Sequence, residues 1–246
     1  MRKSTSRRRQ RFFLILFSCV SLPLVLLVFA WLVTLPDVAE LESHNPETTA
    51  LIKARQRQAE EKGRKIGLHW TWVPLARISP HLRHAVVAAE DASFFGHDGF
   101  DWEGIKDAAL YNLEKGEFKR GASTITQQLA KNLYLSTERS IFRKVHEALI
   151  TSSLEHHLSK ERILEIYLNV AEWGFGVYGA EAASRHHFKK PASDLTPDEA
   201  AWLAAILPSP RRYDPLRKTS ALAKRHGRIL RSMVQYSNHR KIDSSR

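Results

Sequence analysis

A single cysteine, Cys19, stands among 246 residues, so no disulfide can form within the chain and the fold must be held by its core. There is no phosphate-loop glycine signature and no Gly-x-Ser-x-Gly elbow, which excludes the common nucleotide cradle and the α/β-hydrolase nucleophile. His146-Glu147 looks like the start of a zinc-protease helix, but Ile150 stands where that motif needs its second histidine. His156, His157, His186 and His187 have no cysteines at metal-ligand spacing and read as surface residues. Internal repeats are absent, strand signals are few, and no acidic residue precedes Asp37.

What is present is globular in composition, with 43% hydrophobic and 26% charged residues. The length suits one domain, or one domain with an appendage. The net charge of +12 is unevenly placed. Arg2, Lys3, Arg7, Arg8, Arg9 and Arg11 precede an uncharged run, residues 12–35, and Asp37, Glu40 and Glu42 follow it. The run is long enough to span a bilayer as a tilted helix, with Pro23 as a tolerated kink. The positive-inside rule then leaves residues 1–11 as a cytoplasmic tail and everything beyond the run outside. The competing reading is a cleaved signal peptide, whose apolar stretch is about 7–15 residues; Val28-Phe29-Ala30 is the one tolerable cleavage site. Cys19 within the run reads as a small apolar residue, and bulky Phe17 disfavours a lipid-attachment site there. The rest of the chain is still basic, which suits an anionic partner: phosphate, nucleic acid or acidic lipid headgroups.

Residues 36–68 are polar and read as a linker or helical stalk. Trp70-Thr71-Trp72-Val73-Pro74-Leu75 reads as extended, its tryptophans suited to a membrane interface. Apolar periodicity then predicts helices over residues 84–91, 102–113, 124–135, 141–157, 160–170 and 177–188, with a break near Ser159. Another begins at Thr196, a cap followed by Pro197 at the first position, and stops at Pro208. A basic amphipathic helix follows over residues 221–236. The class is mainly α, with a domain at residues 69–216 and a basic C-terminal helix and tail at 217–246.

Three constellations can carry chemistry. Glu90 and Asp91 close an apolar helix, where the dipole and partial burial disfavour a carboxylate anion, the setting that acid–base work near neutrality requires. Acids that merely mark a helix end fit equally well. Gly96 and Gly99 let the chain turn after it. In residues 121–132, helical spacing puts Thr124, Gln128 and Lys131 on one face with Gln127 beside it, and Ile125 and Leu129 toward the core. Uncharged hydrogen-bonding groups with one lysine, at a helix N-terminus, suit a sugar phosphate. The polar loop before it, residues 114–120, is expected to be mobile. Arg143, Lys144 and Glu147 are i,i+4 and i,i+3 neighbours, which on their own read as ordinary surface ion pairs.

The motifs Glu-Asp-x-x-Phe-x-x-His-x-Gly, Gly-x-Ser-Thr-Ile-Thr-Gln-Gln-x-x-Lys-Asn, Arg-Lys-x-x-Glu and Lys-x-x-Ile-Leu-Glu-x-Tyr-Leu-Asn occur here in order at residues 90–99, 121–132, 143–147 and 160–169. In that set the chain resembles the peptidoglycan glycosyltransferases over residues 70–213. Ala171-Glu172-Trp173-Gly174 and Leu207-Pro208-Ser209-Pro210 are similar to the monofunctional biosynthetic branch. No Ser-x-x-Lys occurs, so no β-lactam-reactive serine is expected.

The resemblance implies a lysozyme-like glycosyltransferase domain. It implies polymerisation of lipid II with inversion at the anomeric carbon, undecaprenyl pyrophosphate leaving. It makes Glu90 the general base and Glu147 a second carboxylate near the donor phosphates, with Lys131, Arg143 and Lys144 on the pyrophosphate. Ser123, Thr124, Gln127, Gln128 and Asn132 would line the cleft, and Phe94 and His97 would shape it. The implied partners are lipid II, the growing glycan strand, membrane lipids and cell-wall synthesis proteins, not nucleic acid. The sequence requires no cofactor; several relatives use a divalent cation, Mg or Mn, for which Asp91 is the one suspected ligand. One departure stands out: His187-Phe188-Lys189-Lys190 replaces the family's frequent Tyr-Phe-Gly-Lys, putting lysine where a turn glycine is usual. The rival readings are a lytic enzyme of similar fold and a non-enzymatic scaffold.

Overall fold

The computed structural model describes residues 35–116, 121–138 and 140–243, with side chains as far as Val234. The basic tail, the apolar run with Cys19 and Pro23, and residues 117–120 of the polar loop lie outside the described residues. Among the described residues no helix is long and apolar enough to cross a membrane. The chain divides into Met1–Asp37 and Val38–Arg246, and the second unit is the one described below.

It is mainly helical. The α-helices are α1 (Ala50–Glu60), α2 (Pro80–Glu90), α3 (Trp102–Lys115), α4 (Ile125–Tyr134), α5 (Ile141–His157), α6 (Lys160–Val170), α7 (Ala180–Phe188), α8 (Pro197–Ile206) and α9 (Ser220–Asp243). The starts are set by side-chain oxygens: Ser79, Asp101, Ser140, Ser159 and Thr196 each accept a backbone N–H from the first turn that follows. Between α5 and α6, Leu158 is extended and Ser159 caps the next helix, which places the break where the sequence puts it.

Two packed groups build the core. In one, α4 lies against α5 and α6, burying Ile125, Leu129, Ala130 and Leu133 on the apolar side of a strongly amphipathic helix. In the other, α8 is buried on all sides from Ala200 to Ile206 and lies against α2 and α9. Truncating a fully buried Leu129 or Ile125 to alanine would cost about 2–5 kcal/mol.

The structure differs from the sequence reading at three places. Residues 36–68 are not a free stalk: Val38, Leu41 and Ile52 are buried, α1 packs on α4, and Arg162 donates to the carbonyls of Leu41 and His44. The residues read as the start of a helix at 177 form strand β3 (Val177–Tyr178), preceded by β2 (Glu172–Gly174). With β1 (His69–Trp70) they make a sheet in the order β1-β3-β2, parallel on one side of β3 and antiparallel on the other. These strands are too short to show alternation, and β2 and β3 are buried on both faces. Finally, α9 belongs to the core: Leu222, Ile229 and Met233 are buried, and the His226 ring stacks on Trp202 at 3.9 Å.

The tryptophans of the extended segment are used inside the domain. Trp70 Nε1 donates to the Asn169 carbonyl at 2.7 Å, and the Arg162 guanidinium lies over Trp72 at 5.6 Å. Asn169 also holds Val73 through both its amide and its oxygen.

Candidate active site

The segment from α2 to α4 is a closed polar scaffold. Asp91, just past α2 and buried, accepts the Ile125 N–H through Oδ2 at 2.9 Å and meets His97 Nε2 through Oδ1 at 2.9 Å. Gly99 N–H donates to His97 Nδ1, so the tautomer with hydrogen on Nε2 satisfies both bonds. Gly99 has φ +88, and a Cβ there would meet Thr151 Cγ2 at 2.7 Å, so glycine is required. Gly96, also read as a turn glycine, has no positive φ. Thr124 Oγ1 donates to the Gly99 carbonyl and accepts the Gln127 N–H, while Gln127 Oε1 accepts the Thr124 N–H. This capping box occupies the end of α4 that the sequence reading offered to an anion.

Glu90 ends α2 with its side chain 11% exposed. Its Oε2 accepts from Gln128 Nε2 at 3.0 Å and its Oε1 from Arg225 Nη2 at 2.9 Å. Gln128 in turn accepts from the Tyr167 hydroxyl at 3.0 Å. Burial, then the charge of Glu90, pushes the Tyr167 phenol well above its ordinary value, so it serves as a donor. The guanidinium offsets the helix dipole that disfavours an anion at this position. A carboxylate that accepts from two donors and lines a hollow is placed to act as a proton acceptor.

Across from it lies a cationic group. Glu147 is buried and binds two cations of its own helix, Arg143 Nη1 at 2.8 Å and Lys144 Nζ. Lys131 is an exposed residue, yet partial desolvation pushes its ammonium below the ordinary lysine value; Glu147 and Glu90 oppose that, while Arg143 and Lys144 add to it. Lys131 therefore feels both carboxylates and both other cations at once.

Two hollows flank the Glu90–Gln128 contact. One, about 390 Å³, is lined by Glu90, Ser123, Thr124, Arg225, Arg228 and Ser232 among others. The other, about 340 Å³, is lined by Gln128, Lys131, Asn132, Arg143, Tyr167 and Glu172 among others. Ser123 is exposed and Asn132 half-buried on these walls. Phe94 is fully buried, with Lys160 over its ring at 4.6 Å, and neither it nor His97 lines the two hollows. Gln127 and Thr124 hold the helix start.

Arg225 and Tyr167 were missed from the sequence. Tyr167 sits in an apolar helix face where a core role was the natural reading. Arg225 is one of several bases in α9, and no local pattern separates it from Lys224 or Arg228. Asp91 has both oxygens engaged by Ile125 and His97, and among the described residues no group of three histidine, cysteine or acidic side chains is placed to hold a metal. The residues at hand therefore do not fit a cation at Asp91.

The family model described as Transglycosylase matches residues 59–234. The biosynthetic peptidoglycan transglycosylase of Methylobacillus flagellatus is 49% identical over 194 residues, 79% of this chain and 84% of that one. That of Azoarcus sp. is 52% identical over 191 residues, 78% and 82% of the two chains. That of Neisseria gonorrhoeae is 44% identical over 214 residues, 87% and 92% of the two. With the helical, lysozyme-like domain and the two-carboxylate site already in view, these matches establish that the chain belongs to the transglycosylase family, among the biosynthetic peptidoglycan transglycosylases.

Proposed function

We propose that the chain polymerises lipid II into glycan strands, with undecaprenyl pyrophosphate as leaving group and inversion from α to β at the anomeric carbon. The observation that carries this reading is a pair of hollows on either side of the Glu90–Gln128 bond, one lined by Glu90 and the other by Gln128, Lys131 and Arg143. Glu90 takes the proton of the acceptor's sugar 4-hydroxyl. The oxygen forms its bond to the donor's anomeric carbon as the bond to the diphosphate breaks, and the diphosphate departs with the electron pair. Lys131, Arg143 and Lys144 hold the charge that grows on it, and Glu147 positions the latter two. A diphosphate is a good leaving group, so the cations replace a strong protein acid. The roles are filled by side chains, and the reaction so written requires no cofactor.

The enzyme works at the outer face of the cytoplasmic membrane, anchored by one pass through residues 12–35 with its N-terminus inside. Its partners are lipid II, the growing strand, membrane lipids and cell-wall synthesis proteins. The test is a polymerisation assay of the full chain in detergent with lipid II. Wild-type protein is expected to give polymer. Glu90→Gln is expected to slow it about 10²–10⁴-fold while donor binding persists. Polymer at the wild-type rate from Glu90→Gln removes Glu90 as base. Soluble muropeptides released from purified sacculi, with no polymer from lipid II, overturn synthesis in favour of a lytic enzyme.

A further inference from the structure

The hollow that holds Lys131 and Arg143 has a third cation in its wall, a second guanidinium, from outside the residues matched by the family model. Arg55, on α1, lines it together with Glu172 of β2, whereas the family match begins at residue 59. Arg55 Nε donates to Glu172 Oε2 at 3.0 Å and Nη1 to Gln58 Oε1 at 3.0 Å. Nη2 donates to no described residue. The Arg55 side chain is 25% exposed and that of Glu172 only 6%. Arg211 approaches the other oxygen of Glu172 at 3.9 Å and lies over the Phe175 ring.

We infer that Arg55 is a binding residue for the diphosphate of the lipid-linked donor, aimed into the hollow by Glu172. This rests on the polymerase reading above and deepens it. A guanidinium presents a planar fork suited to phosphate oxygens. Here two of its nitrogens are fixed by protein and one is left over. Burial pushes the Glu172 carboxyl up, and Arg55 opposes that, so the pair has a desolvation cost. A buried ion pair is a poor way to latch a helix, since apolar residues do it as well or better, and α1 already has Ile52 and Ala59 buried for that purpose. What the pair supplies that apolar residues do not is an oriented positive charge on the same wall as Lys131 and Arg143. Among the lining residues Glu172 is the one carboxylate against those three cations, so the hollow retains net positive charge for an anion.

The test uses the full chain in detergent. Arg55→Gln, Arg55→Lys and Glu172→Gln are compared with wild type for KM and kcat on lipid II, for inhibition by farnesyl diphosphate, and for melting temperature. Arg55→Gln is expected to raise KM and the inhibition constant about tenfold with kcat little changed. Arg55→Lys, which keeps the charge without the fork, is expected to restore part of the loss, and Glu172→Gln to weaken binding by a smaller factor. A lowered melting temperature with unchanged KM and inhibition constant would reduce Arg55 to a latch and overturn the inference. So would an inhibition constant that stays put while the KM effect vanishes on lipid II lacking its peptide stem, since the contact would then be to a stem carboxylate. If Arg55→Gln does not fold, Arg55→Lys carries the same comparison, with about a threefold rise expected. Failure of wild type to polymerise lipid II strikes the proposed function instead, and is read separately.

Discussion

At its N-terminal end, α4 has its polar groups paired. Thr124 and Gln127 cap one another, Asp91 takes the Ile125 N–H, His97 holds Asp91, and the Gly99 carbonyl takes the Thr124 hydroxyl. At its C-terminal end, Lys131 is exposed and only partly desolvated beside two like charges, and Asn132 faces an open hollow. Both ends belong to one contiguous motif. Groups whose hydrogen bonds are closed within the protein stabilise the fold, and groups left under-satisfied in a cavity are there for a ligand. On the proposed reaction the motif is two devices in series, a brace for Glu90 and a clamp for an anion, joined by Gln128.

The sharpest way to break that division is to exchange the expected phenotypes. Lys131→Met is expected to cut polymerisation by about 10²-fold or more without lowering the melting temperature. Its pKa is depressed, so the folded chain holds that proton less tightly than the unfolded one, which disfavours the folded state at neutral pH. That disadvantage disappears as pH rises through the depressed value to the ordinary 10.5. Melting curves from pH 7 to 11 should show the variant ahead of wild type at neutral pH and the two converging at the alkaline end. A variant that melts well below wild type at pH 7 would make Lys131 a structural residue.

Asp91→Ala is the opposite case. Losing the bond to Ile125 and leaving His97 Nε2 without its partner should cost about 2–3 kcal/mol in chemical denaturation, and any loss of activity should follow the loss of folded protein. Activity abolished at full stability would place Asp91 in the chemistry. Tyr167→Phe probes the junction. Removal of the hydroxyl that donates to Gln128 should cost about 1 kcal/mol and slow turnover by a few-fold, read as kcat against stability. No effect on kcat would uncouple Tyr167 from Glu90.

The smallest effect is expected outside both ends. Lys189, the C-cap of α7, has φ 60, a left-handed conformation that glycine adopts freely. Lys189→Gly trades about 1 kcal/mol of strain for part of that in chain entropy. A rise of a degree or so in melting temperature at unchanged activity is the expected result, and a fall would show that the lysine has contacts that matter more than its strain.

That lysine was legible through the family resemblance, which puts a turn glycine at its position. The boundaries of α5 and α6 were legible too, since Ser140 and Ser159 stand ahead of regular apolar spacing. The capping box of α4 carried its own signal, threonine followed three residues later by glutamine, but the same residues also suit a sugar site, and spacing cannot rank the two. Docking of α1 hung on Ile52 and Ala59 inside a charged segment, two buried side chains that are too few to give a periodicity. The pairing of Arg225 with Glu90 was beyond reach because it depends on tertiary packing of α9 against α2.

That last contact has a consequence for how the protein is made. The carboxylate leaves the ribosome 135 positions ahead of its guanidinium partner, so the stretch bearing Glu90, Lys131, Arg143 and Glu147 is synthesised before α9 arrives to complete it. Until then Glu90 lacks Arg225, and α8 lacks the cover of Leu222, Ile229 and Met233. A chain released before Arg225 is translated carries Glu90, Lys131, Arg143 and Glu147 yet lacks the guanidinium and the helix that complete the wall around Glu90.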